Sequence, residues 1–156
     1  MPSILIVAHA PLASSLLAVA RHAFADCSRQ VAAVDVPAAA SLEEAEQQIE
    51  AALATMPDRG EVLVLADAFG ATPSNAALKV ASHANDGFRR RVVTGVNVPM
   101  LWRTLCYGHL PLDELMTRAV DGARQGIMQV ASPRPQNQPN PLQPPAANGP
   151  DANSDQ

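Results

Sequence analysis

The sequence predicts a doubly wound open α/β sheet, mostly parallel, and three observations carry that prediction. Short apolar runs alternate with helical segments from Ser3 to about Ala131. The runs are continuous in Ile, Leu, Val and Ala rather than alternating with polar residues, as strands covered on both faces are. Several helical segments open on a recognisable N-terminal signal, and a β-α-β-α order with such starts describes a wound sheet.

Taken in order, Ser3–Ala8 reads as the first strand and Leu12–Ala25 as the helix after it. Val31–Val36 is the second strand. Ser41–Met56 is a helix whose S-L-E-E start, Ser41 with Glu44, is a capping box. Glu61–Asp67 is the third strand, followed by a helix over Pro73–Ala84 with Thr72 as N-cap beside a proline at the first helical position. Arg91–Asn97 is the fourth strand. Pro99–Tyr107 and Pro111–Arg124 are helices that begin on proline by the same rule, and Gly126–Ala131 is a weaker fifth strand.

A chain of 156 residues has room for one domain with a single core. The text changes near Ser132: the stretch from Pro133 onward holds half of the fourteen prolines and one large apolar residue, Leu142. Such a segment buries too little surface to offset its ordering entropy. The division expected is therefore a domain over 1–131 and a disordered Pro/Asn-rich tail over 132–156.

Other function classes recede on composition. A net charge of -4 and a pI near 5.4 give no electrostatic case for nucleic acid or anionic lipid. No apolar run approaches the roughly 20 residues that span a bilayer, and the N-terminus has no basic n-region. Cys27 and Cys106 belong to no CxxC or zinc-like cluster and read as two buried free thiols. The expectation is a soluble cytoplasmic protein without metal or cofactor.

Ligands of open parallel sheets bind outside the carboxyl ends of the strands. The first strand ends in Ala8-His9-Ala10-Pro11, the third brings Asp67 with Gly70, Ala71, Thr72 and Asn75, and the fourth brings Asn97. Singly, His9 reads as a hydrogen-bonded structural residue, Asp67 as a turn former and Thr72 as a cap. Together they suggest a histidine whose ring is oriented by a carboxylate, which frees the other nitrogen as a nucleophile. The helix start near Pro73 would aim free N–H groups at the same crevice, and an imidazole beside an anion cradle suits reversible phosphoryl transfer.

The segments ILIVAHA, LVLADAFGATPSNAA and VVTGVNVPMLWRTL, in order and spread from the first strand to about Val130, resemble the IIA component of the mannose-type phosphotransferase system. The resemblance implies a phosphocarrier that accepts a phosphoryl group from phospho-HPr and hands it to a IIB protein in sugar uptake. It places the phosphorylated histidine at His9 and its carboxylate at Asp67, with Thr72, Gly70 and Ala71 around the phosphate. It also implies a homodimer in which the last strand crosses to the partner's sheet. Where the family has glycine after the histidine this chain has Ala10, and D-x-W-G-G-S-P becomes Asp67-Ala68-Phe69-Gly70-Ala71-Thr72-Pro73. Thr72 keeps the hydroxyl of serine, whereas Ala71 restricts a backbone that glycine leaves free. Some relatives carry a fused IIB domain after a Pro/Ala-rich linker; here the acceptor is expected to be a separate chain.

Of the remaining residues, Asn97, Met100 and Arg103 are candidates for partner docking, and Trp102 reads as core. His22 and His83 read as surface residues, and His109 sits in a turn that could reach the crevice rim. Arg89-Arg90-Arg91 reads as a solvated strand entrance. Ser14 and Ser15 lack a hydrolase elbow. Other readings compete. The phosphocarrier subunit of dihydroxyacetone kinase shares the strand-end histidine. A metallochelatase would need more ligands at the strand ends, and a dinucleotide binder would need G-x-G-x-x-G where A-H-A-P-L-A stands. A stand-alone regulatory phosphoprotein would use His9 identically, since phosphorylation adds about 1.5 to 2 negative charges at a docking crevice.

Overall fold

The computed structural model describes residues 1–24, 30–83 and 87–130. The strands are β1 (Ser3–His9), β2 (Val31–Val36), β3 (Glu61–Ala66) and β4 (Arg89–Thr94), all parallel and in the spatial order β2-β1-β3-β4. The chain moves outward from β1 to β2, then returns to the other side of β1 for β3. The reversal in strand order therefore falls between β1 and β3, where His9 and Asp67 stand.

Among the described residues five helices cover the sheet: α1 (Leu12–Ala23), α2 (Leu42–Thr55), α3 (Thr72–Ser82), α4 (Val98–Cys106) and α5 (Leu112–Gln125). Alternation along the strands builds two cores from one sheet. Ile4, Ile6, Leu63 and Leu65 face α1, α4 and α5 and meet Leu16, Leu101, Leu105 and Leu115. Leu5, Val7, Val62 and Val64 face α2 and α3 and meet Ile49, Leu53 and Val80. The continuous apolar character of the strand text thus reflects burial on both faces.

The expected capping box of α2 is present: Ser41 Oγ accepts from the Glu44 N–H at 3.2 Å, and Glu44 Oε2 accepts from the Ser41 N–H at 2.8 Å. Three other starts differ from expectation. α4 opens at Val98, one residue before Pro99, with Asn97 as its N-cap. Ala71, not Thr72, is the N-cap of α3, and Pro111 is itself the N-cap of α5; neither cap makes a side-chain bond. Thr72 is consequently the first helical residue, with its hydroxyl outside the capping role.

β4 lies earlier than the apolar run suggests, at Arg89–Thr94 rather than Arg91–Asn97. Its arginines are strand residues because carboxylates on neighbouring elements neutralise them. Arg89 pairs with Glu61 and Asp113, each at 2.6 Å, Arg91 with Asp113 at 2.8 Å, and Arg90 with Glu50 at 3.1 Å. At its other end the strand stops at Gly95, whose φ of +83° turns the backbone. No strand is formed by residues 127–130, and Ile127, Met128 and Val130 are largely exposed. Ala131, the tail over 132–156, Cys27 and the helix ends expected at Ala25 and Ala84 lie outside the described residues.

α4 and α5 pack closely because α5 carries Gly122 and Gly126, one turn apart on the contact face. A Cβ at Gly122 would lie 2.5 Å from the Cβ of Arg103, and one at Gly126 would overlap the Pro99 ring. Replacing Gly122→Ala therefore forces the helices apart, and we expect urea unfolding to show a loss of about 1–3 kcal/mol. A loss below a few tenths of that would mean α5 shifts freely.

Candidate functional site

β1 runs one residue further than expected and carries His9 as its last residue, while β3 stops at Ala66 and leaves Asp67 just beyond it. The Asp67 carboxylate is only 11% exposed and collects three N–H groups. Its Oδ2 accepts from the His9 backbone N–H at 2.9 Å and faces His9 Nδ1 at 2.6 Å. Its Oδ1 accepts from the Ala68 N–H at 2.7 Å. Burial alone would push the Asp67 carboxyl up, but the bonds from His9 and Ala68 outweigh it and hold it below the ordinary value. An ionised carboxylate can only accept, so Nδ1 carries the proton in this pair. In the neutral ring this leaves the lone pair on Nε2, and the ring is 49% exposed.

The loop after β3 is fastened from several sides. The Gly95 N–H donates to Asp67 O at 2.9 Å and the Val96 N–H to Ala66 O at 3.0 Å, so the turn after β4 supports the aspartate. Gly70 takes a φ of +83°, a conformation open to glycine, and Asn75 Nδ2 donates to its carbonyl at 3.1 Å. Past this turn, α3 begins without a side-chain cap. Its first turn offers the N–H groups of Thr72 and Ser74, which have no intrahelical acceptor; Pro73 has none to offer. The Thr72 hydroxyl makes no hydrogen bond among the described residues. His9, Asp67, Gly70, Ala71 and Thr72 thus lie along one edge of the sheet, as the strand ends suggested.

The other candidates are placed differently. Asn97 caps α4, its Oδ1 accepting from the Met100 N–H at 2.8 Å, and its Nδ2 donates to Ala123 O at 3.3 Å. Met100 is 2% exposed and packs in the core, so its side chain does not present itself to a partner. Arg103 lies in the middle of α4, bonds Gln125 Oε1 at 3.1 Å and stacks near the Tyr107 ring. Trp102 is not core: it is 44% exposed because it lines a groove of about 680 Å³ with Phe24, Pro99, Arg103, Cys106 and Tyr107. Cys106 faces the same groove and is an exposed thiol rather than a buried one. His109 lies in the turn between α4 and α5, close to the tyrosine Tyr107 and beside Gly108, whose neighbour is Met1 at the start of β1. That is the far end of the sheet from His9.

One contact beside these residues went unnoticed in the sequence. Asp35, near the end of β2, accepts the Ser14 N–H of α1 at 3.1 Å. A lone carboxylate in the apolar run VAAVDV, one residue from the strand end, was the signal available.

With this geometry in view, comparison with known proteins is decisive at the family level. Residues 3–118 match the family model described as the PTS system fructose IIA component, EIIA-man. The chain belongs to this family. It is 38% identical over 90 residues to the mannose-specific EIIAB component of Escherichia coli (54% of this chain, 27% of that protein). It is 39% identical over 72 residues to the fructose-specific EIIA component of Bacillus subtilis (46% of this chain, 47% of that protein). The chain thus spans about a quarter to a half of the length of these relatives. The crystal structure of the EIIA component of Streptococcus agalactiae superposes with a TM-score of 0.73 at 23% identity, covering 83% of this chain and 97% of that one, which establishes a common fold. Among the described residues no helix is long and apolar enough to cross a membrane, and no cluster of three metal-ligating side chains occurs.

The lowered Asp67 pKa sets a pH dependence. A depressed carboxyl contributes stability that is fully present above its unfolded value of about 3.8 and disappears as pH falls through the folded value. The urea stability of the wild type should therefore exceed that of Asp67→Asn by a constant margin at neutral pH. The margin should close below about pH 4, and one that persisted into strong acid would contradict the ionised pair.

Proposed function

We propose that the protein is a histidine phosphocarrier: His9 Nε2 takes a phosphoryl group from phospho-HPr and passes it to a separate IIB protein in sugar uptake. The observation that carries the reading is the double hold of Asp67 Oδ2 on His9, through the backbone N–H and through Nδ1. It leaves one nucleophilic nitrogen with one direction.

The chemistry is a displacement at phosphorus. The Nε2 lone pair forms the new N–P bond as the donor's bond to phosphorus breaks, and the proton stays on Nδ1, hydrogen-bonded to Asp67, throughout. Phosphorylation makes the ring cationic, and the adjacent carboxylate stabilises that charge. The same state makes Nε2 a good leaving group when an acceptor arrives, so one arrangement serves both directions. Little covalent work remains for the protein beyond alignment and charge stabilisation. The phosphoryl oxygens would be met by the Thr72 hydroxyl and by the N–H groups of Gly70, Thr72 and Ser74 at the positive end of the α3 dipole, whereas the Ala71 N–H is already given to Ala68 O at 3.3 Å.

The largely exposed Phe69 and the half-exposed Leu12 flank the histidine and supply apolar surface for docking. Ile127, Met128 and Val130 are exposed and leave α5 beside Asn97 and Pro99, at the same edge as His9, and among the described residues β4 pairs on one side only. A homodimer in which this segment adds to the partner's sheet would cover both. On this reading the protein works in the cytoplasm. A second recipient of the phosphate, a regulatory target, uses the same chemistry.

Incubation with phosphoenolpyruvate, enzyme I and HPr should add one acid-labile phosphoryl group to the intact mass of the wild type and none to His9→Ala. An adduct that persisted in His9→Ala would remove the histidine from its role. Thr72→Ser should accept phosphate at close to the wild-type rate, whereas Thr72→Ala should be slower by about a hundredfold or more, the range for losing one stabilising donor. Equal rates in the two variants would take the hydroxyl out of the mechanism.

A further inference from the structure

We propose that Asp35 is a positioning residue for His9, acting through the start of α1; the proposal rests on the phosphocarrier reading and deepens it. The nucleophile stands at the junction of β1 and α1, and that junction lacks a cap of its own. The N-cap of α1 is Pro11, which has no side-chain acceptor, and it follows a cis Ala10–Pro11 peptide. The missing acceptor comes from another strand. Asp35 Oδ1 accepts the N–H of Ser14, the third residue of the helix, which is the donor that an N-cap side chain ordinarily satisfies.

The sheet register makes this reach possible. Asp35 stands beside Ala8 and Val36 beside His9, so the side chain of Asp35 shares the α1 face with Ala8. The next residue of β2 completes the tether, since Val36 O accepts the Ala10 N–H at 3.0 Å. Residues 9 to 14 are therefore fixed at three points: His9 N–H on Asp67, Ala10 N–H on Val36, and Ser14 N–H on Asp35. Asp67 orients the ring from the β3 side, and Asp35 with Val36 fixes the backbone from the β2 side. The carboxylate also complements the positive end of the α1 dipole. α3 differs, since its start has no carboxylate and remains open to an anion.

In-line transfer is sensitive to small errors of alignment, so loosening this junction should appear in the chemical step and not in donor binding. Single-turnover transfer would be measured over a range of phospho-HPr concentrations for Asp35→Ala, Asp35→Asn and Asp35→Glu, the maximal rate constant being read as kcat and the half-saturating donor concentration as KM. Ser41→Ala, which removes the cap of α2, is the control for loss of a cap elsewhere. Asp35→Ala and Asp35→Glu should lower kcat by about tenfold with KM within about twofold, while Asp35→Asn, which keeps the acceptor, should recover most of the rate. Ser41→Ala should transfer like the wild type.

Wild-type kcat in Asp35→Ala or in Asp35→Glu would overturn the proposal, as would an Asp35→Asn variant as slow as the alanine. Should Asp35→Ala not fold, Asp35→Glu and Asp35→Asn decide. The low-field proton resonance of His9 Nδ1–H is read without any phosphate. It should shift or broaden in Asp35→Ala and Asp35→Glu and stay unchanged in Asp35→Asn and Ser41→Ala. If the wild type takes no phosphate, the phosphocarrier reading fails by itself. Asp35 is then judged on this resonance alone, and an unchanged signal in Asp35→Ala or Asp35→Glu ends the proposal.

Discussion

One carboxylate oxygen, Asp67 Oδ2, receives both the main chain and the ring of His9. Everything near the candidate site is arranged so that this double contact holds. The turn after β4 supports the aspartate through the bonds of Gly95 and Val96, and the Ala68 N–H occupies the second oxygen. A carboxylate with three donors is an inflexible reference point. With its pKa held low it stays ionised through the neutral range, so the tautomer of the histidine is fixed by its surroundings.

The sheet explains how two residues from distant parts of the chain reach this contact. β1 and β3 are the central strands, each flanked on both sides, and their ends are held by the two cores above and below. The outer strands are free to carry other duties. β4 carries its arginines in a network with Glu61 and Asp113 at the opposite end. β2 supplies Asp35. Stability at one end of the strands and chemistry at the other are thus separated by the length of a strand, and changes at one end need not disturb the other.

Much of this was legible in the text because it depends on local patterns. Continuous Ile/Leu/Val runs announced buried strands, S-L-E-E announced α2, and a histidine and an aspartate at strand ends announced a crevice. What was hidden depended on contacts between distant residues. Arg89-Arg90-Arg91 read as a solvated strand entrance with only Arg91 in the strand, because Glu61, Asp113 and Glu50, which pair with them, are distant in the chain. Met100 looked available but is buried beneath α4, and Trp102 looked like core but lines a surface groove. Asn97 looked like a docking group because caps and contacts use the same side chain. Asp35 was missed because its partner, Ser14, belongs to a different element, and no local spacing links them.

The pairing of His9 with Asp67 bridges 58 positions and skips an entire β-α unit. It forms only when β3 has docked beside β1, a step that closes a long loop and brings the central strands of both cores together. During synthesis the histidine emerges early but has no orienting partner until β3 follows. A half-made or partly unfolded chain then presents an ordinary imidazole, free to adopt either tautomer. On the phosphocarrier reading proposed above, competence for transfer would be a property of the finished core, and damaged or immature copies would fall silent rather than leak phosphate to the wrong recipient.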